Sequence, residues 1–185
     1  MESEIGYRLP PELRQLYLFS SGARLLRGNL NFYPLRRSEE RKFGLSDTSA
    51  RLREWMFPVP EEVLVFADNG SESNFGIWLP EVRNETFRNP IIEIAEPAER
   101  CMTVVGTSFM PFLLGCTAYY LMLSEADSIA LDAIGIPSSL RGRRRDDELF
   151  ADLCRWADPT LPDYHPDAYQ KGYTAEDFRK LFGGT

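Results

Sequence analysis

A single histidine, His165, among 185 residues leaves little imidazole for catalysis. Any Ser–His or Cys–His pair would have to use it. It stands in "PDYHPDAY", a proline-rich stretch eleven residues beyond Cys154, and reads as a surface histidine of an ordered tail. Cysteine is scarce too. Cys101, Cys116 and Cys154 form no CxxC, leave an odd thiol over, and with one histidine do not make a zinc site of paired spacing. Cys101 and Cys116 lie in apolar surroundings, as buried reduced thiols do. Neither GxGxxG nor GxxxxGK[ST] occurs, so the common phosphate-binding loops are absent. The most apolar window, residues 108–123, is short for a membrane span and contains Ser, Pro, Gly and Thr. The start, "MESEIGYRLPPEL", lacks the basic stretch and apolar run of a signal peptide. Together these absences predict a soluble protein of the reducing cytoplasm, without cofactor, metal or membrane partner.

What is present is a core. With 43% hydrophobic and 12% aromatic residues, the chain has material for one domain, with an appendage, dominated by large side chains. Its formal charge of −7 is unevenly spread. Residues 1–60 carry ten bases and seven acids, 61–100 three and nine, and 101–185 eight and twelve. The acidity therefore begins in the middle of the chain. Such a protein repels phosphates, which argues against nucleic acid, and suits a basic protein partner. The cluster Arg141, Arg143, Arg144 and Arg145 is flanked by Asp146, Asp147 and Glu148 with no aromatic interleaved, so it reads as the solvated start of a helix.

The elements follow from local signals. "LPPELRQLYLFSSG" predicts a helix with Pro10 and Pro11 in its first turn and Gly22 at its end. "GNLNFYPL" alternates as a strand, with Leu30 and Phe32 on one side. The charge run 36–44 reads as a loop, and "SDTSARLREWM" as a short helix capped by Ser46 or Asp47, with Leu52, Trp55 and Met56 inward. Val63–Ala67, Phe75–Leu79, "PIIEIAE" and "MTVVG" are four further strands. "TSFMPFLLGCTAYYLML" is apolar nearly all round and predicts a buried helix capped by Thr107 or Ser108, whose Gly115 needs close packing to justify it. After Leu123 come amphipathic "DELFADLCRWA" (147–157) and "TAEDFRKLF", the latter with Thr174 as cap and Asp177 three residues on. The expected core is Leu13, Leu16, Phe32, Val63, Val65, Phe66, Ile77, Ile92, Ile94, Val104, Phe109, Phe112 and Leu113. Neighbours such as Val65 and Phe66 point to opposite faces, so one of the two must meet a second layer or an edge.

The turn "DNGSESN" between two strands offers Asp68, Asn69, Ser71, Glu72 and Asn74 as oxygen donors. A calcium loop wants glycine sixth and glutamate twelfth; here Gly70 is third and Leu79 twelfth. A hairpin turn needs no ligand, since Asn and Gly tolerate positive φ. No motif selects an acid pair from the 28 carboxylates, so an enzyme built on scattered carboxylates stands only as the alternative to a binding protein.

Assembled in order, "LPPELRQLYLFSSGARLL", "LNFYPL", "VPEEVLVFADNGSESNFGIWL", "NPIIEIAE" and "VVGTSFMPFLLG" resemble the SUKH superfamily, which contains the fungal cell-wall-assembly regulator family. The carriers are Leu9, Pro10, Leu13 and Gly22; Tyr33, Pro34 and Leu35; Ala67 and Asp68; and Ser108, Phe109, Phe112 and Leu113. The resemblance implies an α+β fold: a single domain over residues 5–123 with a central twisted, largely antiparallel sheet flanked by helices. Residues 124–185, which match nothing in the family, would be a helical C-terminal extension packed on that domain. The family usually has a helix before its LPxxL segment, whereas only eight residues precede Leu9 here. The resemblance also implies a non-enzymatic protein-binding role. Bacterial relatives are largely immunity proteins that neutralise cognate toxins, often nucleases, and fungal ones are regulators or scaffolds. Joined to the charge distribution, it makes Asp68, Glu72, Glu81 and Glu85 the candidates for an acidic edge facing a basic partner.

Overall fold

Every side chain from Val63 to Ala67 is buried, which a strand with one wet face does not allow. A computed structural model describes residues 2–6, 8–36, 43–55, 59–71, 73–79, 89–95, 102–124, 128–143, 147–161, 176 and 180. In it the stretch is the third strand of a six-stranded sheet covered on both faces. In chain order the elements are α1 (Glu2–Ile5), α2 (Pro11–Phe19), β1 (Ala23–Leu25), β2 (Leu30–Phe32), α3 (Leu45–Trp55), β3 (Val63–Asp68), β4 (Ser73–Trp78), β5 (Ile91–Ala95), β6 (Met102–Gly106), α4 (Phe109–Leu123), α5 (Ser128–Ala133) and α6 (Asp147–Ala157). The strands lie in the order β1-β2-β3-β4-β5-β6, each antiparallel to its neighbour. The fold is α+β, as expected.

One face of the sheet carries Leu30, Phe32, Leu64, Phe66, Phe75, Ile77, Ile91 and Val105 against α2, α4 and α6. Aromatic rings organise it. Phe66 sits 6.1 Å from Phe109 and 5.9 Å from Phe112, centre to centre and edge to face, and Phe112 is 4.9 Å from Phe75. The other face carries Val63, Val65, Trp78, Ile92, Ile94 and Met102, with Leu52 of α3 and Val59 against them. Val65 and Phe66 thus point into separate clusters. A bulge between Val65 and Ala67 then puts Ala67 on the same side as Phe66. Of the thirteen expected core residues ten are buried, while Leu16, Val104 and Leu113 are half-buried at the margins.

Three local expectations are corrected. The sheet has a sixth strand, β1, whose Leu25–Leu26 doublet broke the alternation by which short strands are recognised. The eight residues before Leu9 contain a helical turn, α1, with Ile5 buried and Glu2 Oε1 accepting from the Leu9 N–H at 2.9 Å. Helix α3 starts at Leu45, so its cap is Gly44. Asp47 reaches back from the third helical position to accept from the Gly44 N–H at 3.2 Å, while the Thr48 N–H donates to the Gly44 carbonyl. At α4, Ser108 occupies the cap position but its side chain makes no capping bond. The hydroxyl of Thr107 is engaged elsewhere, by Asp158.

Beyond Leu123, α6 lies along α4 and β6. Its Leu149 and Leu153 form a third cluster with Ala118, Met122, Leu131 and Ile136, while Phe150 joins the main core. The crossing with α4 is close because Gly115 has no side chain: a Cβ there would lie 3.1 Å from Cys154 Sγ and 3.2 Å from its Cα. Trp55's side chain, Met56, Thr174 and Asp177 lie outside what is described. Glu176 and Lys180 are helical and form an exposed i,i+4 ion pair at 3.0 Å.

Candidate partner interface

At the end of the sheet where β1 and β2 pair with β3 and β4, alternation sends apolar side chains to the face covered by α2, α4 and α6 and polar ones to the face that carries α3. Where α3 does not reach, those polar residues fall into cross-strand register. Arg24 is opposite Asn31, Asn31 opposite Asp68, and Asp68 opposite Asn74. Arg24 is exposed and the other three are half-buried, so they form a polar row across four strands that solvent can reach. Asn31 Nδ2 donates to Asp68 Oδ1 at 2.7 Å, and the Tyr33 hydroxyl donates to Asn74 Oδ1 at 2.8 Å.

The β3–β4 turn extends this row. Asp68 Oδ1 also accepts the Gly70 N–H at 2.8 Å, and Asn69 Oδ1 accepts the N–H groups of Ser71 and Ser73 at 2.9 and 3.1 Å. The turn thereby satisfies its own backbone with its own side chains. It also interlocks with the β1–β2 turn. Gly70 has φ +76°, and a Cβ on it would stand 2.6 Å from the Gly28 carbonyl oxygen. Asn31 Nδ2 donates to that same carbonyl at 2.8 Å. The two turns form one composite tip.

Of the four candidate acids, Asp68 lies in this row with one oxygen committed to the turn. Glu72, Glu81 and Glu85 lie outside the described residues. The residues that sequence reasoning did not assign to a partner surface are Arg24, Asn31, Tyr33 and Asn74. Their signal was available: Asn31 is the polar member of Leu-Asn-Phe, so it must point away from the core face that Leu30 and Phe32 share.

Among the described residues, the arginines of the 141–145 cluster are tied up and the thiols are buried. Arg141 pairs with Asp132 at 2.6 Å and donates to the Ile136 carbonyl, and Arg143 pairs with Asp152, so this part of the basic cluster serves the fold. Arg144 and Arg145 lie outside the described residues, as do His165 and Cys101. Cys116 and Cys154 are free thiols, both buried. Burial pushes both well above the ordinary thiol pKa, the negative charge of Glu93 adds to this, and they are poor nucleophiles as placed. Among the described residues no group of three His, Cys, Asp or Glu side chains is placed to hold a metal ion, and no helix is long and apolar enough to cross a membrane.

The sheet is thus an antiparallel meander backed by helices, with a polar patch and two interlocked turns at one end. The sequence model of the SMI1 / KNR4 family (SUKH-1) matches residues 1–115, and the chain belongs to that family. No curated protein and no solved structure shows a significant match. Membership of this family supports a protein-interaction role.

Proposed function

We propose that the chain is an immunity protein: a non-enzymatic domain of the cytoplasm that binds a cognate toxin and blocks its working surface. The observation that carries this is the family match over residues 1–115 on a sheet with an open polar patch. The concentration of charge supports it, since nine acids against three bases in residues 61–100 would attract a basic toxin such as a nuclease. Asp68, Glu72, Glu81 and Glu85 would supply the acidic edge. Residues 124–185 would serve as a helical extension of the same domain, with α6 seated on α4.

The test is affinity purification of the full chain from its native cell, followed by expression of each recovered protein with and without it. Recovery of one basic protein, toxic alone and harmless in the presence of this chain, is the expected result. A partner that is harmless by itself would replace the immunity reading with that of a regulatory or scaffold adaptor. Turnover of a substrate by the purified chain would replace both with an enzyme.

A further inference from the structure

Two consecutive non-glycine residues of the β1–β2 turn, Leu26 and Arg27, have φ of 53° and 55°. L-residues with a Cβ rarely adopt this conformation, whereas Gly or Asn would hold it at less cost. For Leu26 the fold supplies a reason, because its side chain packs against the main core. For Arg27 it does not. Its side chain is exposed and makes no hydrogen bond or ion pair among the described residues. Arg24, at the outer end of the polar row, is likewise exposed and without a partner among them. The turn is nonetheless firmly held. Asn29 donates from its backbone and side chain to the Leu26 carbonyl at 3.1 and 2.8 Å, Asn31 holds Gly28, and Gly70 packs against it.

A rigid tip that keeps a strained arginine exposed, three residues along from a second exposed arginine that heads a row where two carboxamides flank Asp68, has the composition of an interface anchor. We infer that Arg27 and Arg24 grip carboxylates on an extended segment of the partner protein, while the side-chain oxygen of Asn31, whose amide hydrogens are both held within the fold, and the side-chain nitrogen of Asn74 meet its peptide groups. This rests on the reading of the chain as a partner-binding protein, and adds to the proposed acidic edge a contact of opposite sign. Contacts of both signs on one partner fix its orientation, because the reversed pose sets like charges together. A protein segment fits better than nucleic acid. Two arginines neutralise too few phosphates to overcome a chain of net charge −7, whereas guanidinium forks match single carboxylates and carboxamides match peptide groups.

The experiment places a photoreactive p-benzoylphenylalanine at position 71, in place of Ser71, whose hydrogen bond to Asn69 is made by its backbone N–H. The full chain is irradiated in its native cell and the cross-linked peptides are sequenced. An adduct to an acidic segment of another protein is expected. Arg24→Glu with Arg27→Glu should cut its yield at least about tenfold, the loss typical of removing interface anchors. Arg27→Gly should reduce the adduct while leaving the melting midpoint unchanged or higher. A midpoint lowered by Arg27→Gly with the adduct unchanged would make Arg27 a structural residue and overturn the inference. An adduct insensitive to charge reversal would overturn this surface and leave the partner-binding reading standing. Adducts only to a second copy of the chain or to nucleic acid would overturn the inference as well. Absence of any protein adduct, together with no partner in the affinity purification, would overturn both.

Discussion

Asp158 Oδ2 accepts from both the backbone N–H and the hydroxyl of Thr107, at 2.7 and 2.6 Å, across fifty-one residues of chain. Its other oxygen accepts from the Thr160 hydroxyl at 2.6 Å and the Thr160 N–H at 3.3 Å. One buried carboxylate therefore pins the segment after α6 to Thr107, in the short link between β6 and α4. This ties residues beyond the family match to the sheet domain more specifically than apolar packing does.

That carboxylate makes acid the first condition to test. Burial by itself would raise the pKa of Asp158, but the hydrogen bonds from Thr107 and Thr160 outweigh it and the net shift is downward. A depressed folded pKa means stabilisation that is full above the unfolded carboxylate value, about 3.9, and is lost as pH falls through the folded value. Asp158→Ala should cost about 1–3 kcal/mol near neutral pH, because it removes the shared acceptor of four hydrogen bonds and leaves the half-buried donors of Thr107 unsatisfied. The gap in melting midpoint between the two proteins should narrow below about pH 4. A gap independent of pH would remove the carboxylate's charge from the explanation.

Gly115→Ala sets two effects against each other. Alanine favours a helix interior over glycine by about 1 kcal/mol. Against this, the new methyl would stand 3.1 Å from Cys154 Sγ and 3.2 Å from its Cα. Backbone does not yield as a side-chain tip does, so α4 and α6 must separate, with a net loss of about 1–3 kcal/mol. Thermal unfolding of the variant measures it, and a higher midpoint would show that the crossing is loose.

The two described thiols give a probe of the same crossing. Cys116 and Cys154 are buried and both are pushed upward in pKa by that burial, with Glu93 contributing. Neither should react with a thiol reagent at pH 8 in the native protein, and both should react on unfolding. The rate for these thiols, separated from Cys101 by a Cys101→Ser background, reports local opening of α4 from α6. Rapid native labelling of either thiol would contradict the packing.

Neutralising the four acids of the proposed edge should leave the fold in place. The variant carrying Asp68→Asn, Glu72→Gln, Glu81→Gln and Glu85→Gln is expected to associate more slowly with a basic partner and to lose salt sensitivity. The amide substitutes keep the size and one acceptor oxygen of the acids they replace, so the melting midpoint should move little. Asp68→Ala is different. It removes the acceptor of the Asn31 and Gly70 bonds, and should lower stability by about 1 kcal/mol without needing a partner to show it. Association rates and a salt series separate the two effects.

Much of this was legible along the chain. Alternation marked β2, short apolar and β-branched runs marked β3 to β6, the continuous apolar run marked α4, and Gly115 within that run called for close packing. The family is carried by residues such as Leu9, Pro10, Tyr33 and Phe109, whose order and spacing are local facts. The sequence also determined that one histidine and three dispersed cysteines offer few catalytic arrangements. What it did not contain is which distant residues meet. That Val65 and Phe66 serve two separate cores depends on helices covering both sheet faces. That Cys154 is the neighbour of Gly115, and Asp158 of Thr107, depends on where α6 returns. The row from Arg24 to Asn74 exists only because four strands pair in one register, each contributing a polar residue that looks ordinary on its own. Local patterning sets which side chains leave water. Long-range pairing decides which polar ones are left together at the surface, and that is where the tip bearing Arg27 came from.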